Sequence, residues 1–190
     1  MKETISILVL LITNLTFAQI DKSNDSLEIW TVFSTGNFIN QNAEKIVEKN
    51  WPFKIKGIAG DTFSENLIDS LEVHNNNIWN HLDSNGFSNS KEKFESDLLE
   101  EIEQIKKAVE ISQSDKIVSD LYERLRERNL QNYTELSKKN QYKYVFKVYS
   151  FDLDNLESEQ VFELKFITDL KKKQTTILNK KTTHNNGYHK

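Results

Sequence analysis

The sequence contains no cysteine. Disulfides, thiolate metal sites and cysteine nucleophiles are therefore excluded, as is a lipid carried on an N-terminal cysteine. One proline and five glycines among 190 residues leave few breaks, so long helices and strands are expected. Charge of neither sign dominates: 25 Lys and Arg stand against 29 Asp and Glu, a net charge of −4 with both signs interspersed. Such a chain offers no broad basic field, and nucleic acid is not expected as a partner. Beyond residue 18, no run approaches the roughly 20 apolar residues that a membrane-spanning helix requires. What the chain does have is bulk. Eleven Phe, six Tyr and three Trp supply core material for one domain, although the hydrophobic content is only 37%.

Residues 1–18 read as a secretory signal peptide. Lys2 provides a short positive start, weakened by Glu3, and "ISILVLLITNL" is the apolar segment. Thr16 and Ala18 then precede a cut before Gln19 at the positions where small residues are required. Asn14 and Asp21-Lys22 end the apolar run too early for a spanning segment. The expected location is the periplasm or the outside of the cell. The leader and the Lys-, Asn- and Ile-rich composition resemble those of exported proteins of flavobacteria-like bacteria.

Residues 19–180 read as a single α+β domain, and 181–190 as a flexible tail. "LEIWTVFST" predicts a first strand. Ala43, Ile46 and Val47 predict a short helix stopped near Pro52, and "FKIKGIAG" a second strand. Thr62 and Glu65 fit a capping box opening a helix that ends near Asn85, with Gly86 in the left-handed position. On that helix Leu67, Leu71, Ile78 and Leu82 form a stripe widened by Ile68 and Trp79. Asn75 falls inside the stripe, His74 at its edge with His81, and Asn76 and Asn77 point away.

Phe94, Leu98, Ile102, Ile105 and Val109 predict the next helix. Ile117, Leu121 and Leu125, with Val118 and Tyr122, predict another. "NYTELSKKN" extends that helix or forms a turn. The period then changes to two. "QYKYVFKVYSFDL" places Tyr142, Tyr144, Phe146 and Val148 on one side and Val145, Tyr149, Phe151 and Leu153 on the other. "EQVFELKFITDL" alternates Phe162, Leu164 and Phe166 against Glu163 and Lys165, and "KKKQTTILNKK" is a weaker third strand. The expected architecture is a small antiparallel meander, joined by one or two N-terminal strands, with helices packed on one face.

The stretch "AEKIVEKNWPFKIKGIAG…LIDSLEVHNNNIW…FSNSKEKFESDL" resembles the FEKKY domain, a family of small exported bacterial proteins. The shared features are a Trp after a short helix, Ala-Gly before a capped helix, Asp69-Ser70 and His74-Asn75 within it, and Phe94-Glu95. They span about residues 43–105. Here Ser-Asp follows Phe94-Glu95, where the family has a basic-aromatic ending. The resemblance implies a recurrent exported domain and brings no mechanism with it.

Asp69, Ser70, His74, Asn75 and Trp79 are the candidate ligand or partner contacts. Against that stands a plainer reading, a helix whose inward amide bonds to neighbouring backbone. Ser70, His74 and Asp69 can be written as a hydrolytic triad, but adjacency on one helical turn carries little information. His74 and His81 are two turns apart, about 10 Å, too far to share one zinc readily. Gly57 to Gly60 lacks the pattern of a phosphate-binding loop. Glu100, Glu101 and Glu103 read as a solvated helix face. The aromatic strand from Tyr142 to Phe151 reads as core, or as a sugar- or lipid-binding face. No catalytic residue, metal or cofactor is expected. The leading expectation is a non-catalytic binding module that meets a protein or envelope component through the sheet or the long second helix. The rivals are a small hydrolase or metal-dependent enzyme built around Asp69 and His74, and a structural subunit of the envelope.

Overall fold

A computed structural model describes residues 27–32, 37–60, 64–154 and 159–181. The expected signal peptide, Thr62 of the expected capping box and residues 182–190 of the expected tail lie outside the described residues. The elements are β1 (Leu27–Val32), α1 (Phe38–Val47) with a 3-10 turn (Glu48–Asn50), β2 (Phe53–Ala59), α2 (Glu65–Ser84), α3 (Ser90–Gln113), α4 (Lys116–Glu127), β3 (Gln131–Asn140), β4 (Lys143–Phe151), β5 (Val161–Asp169) and β6 (Gln174–Lys180). The class is α+β, as the patterning predicts. β3 to β6 form an antiparallel meander in sequence order. The N-terminal strands do not join it. β1 and β2 pair with each other in parallel, from Leu27 opposite Phe53 to Thr31 opposite Gly57. α1 is the crossover that a parallel pair requires.

Local chemistry explains the boundaries. Asn37 caps α1 through its side chain, which accepts from the Asn40 amide at 3.1 Å. Pro52 follows the 3-10 turn and prevents its continuation. Asp115 caps α4 by accepting from the amides of Ile117 and Val118. Gly86 takes φ 97°, a value that favours glycine, and so closes α2 where the sequence predicts.

Two cores follow. The larger lies between the inner sheet face and α1, α3 and α4, with Ile105, Leu121, Leu125, Tyr144, Phe146, Leu164 and Phe166 at its centre. The smaller fastens the β1–β2 pair to α2 and α3 through Ile29, Phe53, Trp79, Leu82 and Phe94. There the Phe53 ring meets Trp79 and Phe94 edge-on, with centroids 5.5 and 5.3 Å away. Each such ring contributes about 1.5–3 kcal/mol through burial.

Several positions differ from the sequence reading. "NYTELSKKN" is neither helix nor turn but the edge strand β3. Asn129, at φ 52°, ends α4, with the Leu130 amide returning to the Leu125 carbonyl at 2.9 Å. β3 is polar because an edge strand beside solvent buries little. Tyr142 lies in the two-residue turn between paired Asn140 and Lys143 and is exposed, as is Leu153 past the end of β4. Glu163 is buried rather than outward, because β5 carries an extra residue there. Val148 faces Leu164 and Tyr149 faces Phe162, so Glu163 and Leu164 both turn inward. Ile68 and Ile117 lie outside the buried stripes of their helices.

Candidate functional site

The α2 residues singled out by the sequence do two different things. Asn75 is turned inward, and its amide acts as a short strand. Its Nδ2 donates to the Trp30 carbonyl at 2.9 Å, and its Oδ1 accepts from the Trp30 amide at 2.8 Å. In a parallel pair, the backbone groups of one residue face the same side of the strand. Those of Trp30 therefore face away from β2, and Asn75 meets both. One turn along the same edge, His74 Nε2 stands 2.8 Å from the Glu28 carbonyl. A carbonyl only accepts, so Nε2 carries the hydrogen. The imidazole stacks on the Trp30 ring, with centroids 3.7 Å apart and planes 9° from parallel. β2 is treated likewise: Glu48 accepts from the Ile55 amide at 2.8 Å and from Lys54 Nζ at 3.0 Å. Side chains thus meet both edges of the two-stranded sheet.

Trp79 is core. Asp69 and Ser70 are exposed, and with Trp30, Val73, His74 and Asn77 they border a shallow, open recess. The Ser70 hydroxyl donates to its own helix, to the Asn66 carbonyl at 2.8 Å, and not to His74. The structure therefore brings Asp69, Ser70 and His74 to one recess but not into a hydrogen-bonded triad. Beside them, Glu28 is held below its usual range chiefly by the hydrogen bond from Lys56. The Trp30 indole N–H is shut off from solvent and, among the described residues, has no partner in hydrogen-bond geometry. Among the described residues, no group of three or more acidic or histidine side chains could hold a metal ion.

Two buried carboxylates stand elsewhere, neither singled out as buried by the sequence. Glu101, 5% exposed on α3, accepts from the Tyr144 hydroxyl at 2.7 Å through one oxygen and from Lys138 Nζ through the other. Gln104 Oε1 stands 3.0 Å from the hydroxyl and 3.3 Å from Lys138 Nζ. Burial, and then the Glu101 hydrogen bond, push the Tyr144 phenol far above its usual range. Glu163 receives the Ser150 hydroxyl at 2.9 Å and Lys181 Nζ at 3.2 Å, with Arg124 Nη2 at 4.0 Å. Both carboxylates have their charge compensated, which is the condition for burying one.

The outer face of the meander is a different surface. The helices pack on the side of Tyr144, Phe146 and Val148; no described helix packs on the other. There Tyr133, Tyr149 and Phe162 form a row across β3, β4 and β5. Tyr133 and Tyr149 have ring centroids 6.4 Å apart, and Tyr149 meets Phe162 edge-on at 5.9 Å. Tyr133 is 48% exposed. The adjacent row holds Glu135 and Lys147, paired at 3.0 Å, with Lys165 opposite Lys147. Alternation placed Tyr149 on this side in the sequence. Strict alternation puts Phe162 with Leu164 and Phe166, but the extra residue in β5 turns it to this face, and the polar composition of β3 hides Tyr133.

No protein-family model matches this chain, and neither a curated protein nor a solved structure matches it.

Proposed function

We propose that the chain is an exported, non-catalytic binding module that meets a protein or an envelope component through the outer face of its four-stranded sheet. The observation that carries this reading is the Tyr133–Tyr149–Phe162 row on the face that no described helix covers. Tyrosine is enriched at contact surfaces because a rigid ring supplies area and its hydroxyl tolerates water. The α2 face is the poorer choice, because its inward polar groups are occupied in holding β1. The leader-like first eighteen residues and the resemblance to the FEKKY domain support export.

A photo-cross-linker placed at position 149 in the native host tests the surface. A discrete adduct is expected from position 149 and none from Leu99, an exposed residue of α3. Adducts from Leu99 with none from 149 would overturn the reading. N-terminal sequencing of the chain recovered from the periplasm tests export, with Gln19 expected as the first residue. A chain starting at Met1 and confined to the cytoplasm would contradict it.

A further inference from the structure

A cleft of about 500 Å³ lies on the other side of the edge strand β3, where the first half of α1 faces the end of α3. Its size is in the range of small-molecule sites, roughly 300–1,000 Å³. Phe38, Tyr122 and Tyr133 supply apolar surface above the buried Phe146, and the amides of Gln41, Asn42, Gln113 and Asn132 stand among them. Asn42 gives its Nδ2 to the Phe38 carbonyl at 2.7 Å, which leaves its Oδ1 available. The Gln113 and Asn132 amides hydrogen-bond to no described residue. Burial raises the Tyr122 phenol above the usual range, against a smaller opposing effect of Thr134, so it is a neutral hydroxyl at physiological pH.

The lining decides the class of ligand. Lys45 is the one charged residue among the described lining residues, so an anion finds a single exposed partner and a cation none. A wholly apolar ligand would cover amides and leave them unpaired, which is unfavourable. A neutral ligand with many hydroxyls satisfies both parts. Gln113 and Asn132 each offer a donor and an acceptor to neighbouring hydroxyls, and the half-buried Phe38 and Tyr122 rings supply apolar surface for the C–H side of a sugar.

We infer that this cleft is a binding site for a neutral saccharide of one or two sugar units. The site adjoins the sheet face, with Tyr133 at the border of both, and the inference goes beyond the reading given above. Gln113 and Asn132 are exposed, so replacing them spares the core.

The test is saturation-transfer NMR and calorimetry on the purified chain. Maltose, cellobiose and N-acetylglucosamine serve as neutral probes, gluconate as an anion and N-acetyl-glycyl-glycine amide as a neutral peptide. At least one sugar is expected to bind. Each of Gln113→Ala and Asn132→Ala should weaken it roughly two- to tenfold, the worth of one hydrogen bond, with thermal stability kept. Leu99→Ser, remote from the cleft lining, should bind as the parent does. Binding of none of the sugars, preference for gluconate or the peptide, or sugar binding indifferent to both substitutions would each overturn the inference. Cross-linking at position 149 is read separately, so either proposal can fail while the other stands.

Discussion

In the two-stranded sheet, side chains finish the strand edges: Asn75 and His74 on β1, Glu48 on β2. In the four-stranded sheet, three helices cover one face, and the other carries a row of rings, Tyr133 exposed and Tyr149 and Phe162 half-buried. A lone pair of strands is marginal in water. Its outward amides and carbonyls need partners, and polar residues of α2 and of the 3-10 turn after α1 supply them. Four strands with a filled core need no such help, and no described helix covers their second face. The contrast teaches that polar residues clustered on a helix can be structural, while aromatic residues can stand on a face that no described helix covers.

The largest expected effect breaks the covered side of the larger sheet. Lys138→Met would leave Glu101 buried without its cation and cost about 3–5 kcal/mol in urea denaturation. The same cluster has a pH signature. The folded-state pKa of Tyr144 is raised above the ordinary 10.0. The stability it contributes is complete below pH 10 and is lost as pH rises beyond it, because the unfolded chain ionises first. Tyr144→Phe should therefore flatten the fall in stability above pH 10, as followed by alkaline unfolding.

The smaller sheet answers to Asn75. Asn75→Leu would strand both backbone groups of Trp30 and cost about 2–4 kcal/mol. Asn75→Asp should not rescue it, because a carboxylate keeps the acceptor and loses the donor. His74 sharpens the comparison by separating ring from hydrogen bond. His74→Phe keeps the stack on Trp30 and should cost about 1 kcal/mol, His74→Ala about twice that. The smallest effect belongs to the outer face. Tyr149→Ala should change stability by no more than about 1 kcal/mol, because its ring is only half-buried. A large loss there would mean that the row is core, and the contrast would fail.

Much of this was legible in the sequence. Period-3.6 stripes located the four helices, and Ala43, Ile46 and Val47 marked the buried side of α1. Alternation from Tyr144 to Val148 identified β4, and the inward placement of Asn75 followed from 100° spacing. What escaped notice has physical causes. β3 carries few apolar residues because one flank is solvent, so its period was hidden. Glu163 looked outward because a bulge is invisible to strict alternation. The pairing of β1 with β2, rather than with the meander, depends on tertiary contacts that no local pattern records. Nor could spacing alone show that the partners of His74 and Asn75 are backbone groups 46 and 45 residues earlier.

Amide hydrogen exchange at Trp30, measured by NMR in the parent chain and in Asn75→Ala, tests the central claim most directly. If Asn75 fastens β1, the Trp30 amide is protected in the parent and exchanges much faster in the variant, while amides within β4 keep their protection. A Trp30 amide that exchanges freely in the parent, or equally slowly in both, would contradict the assignment of these α2 residues to structure and return them to candidacy as a binding site.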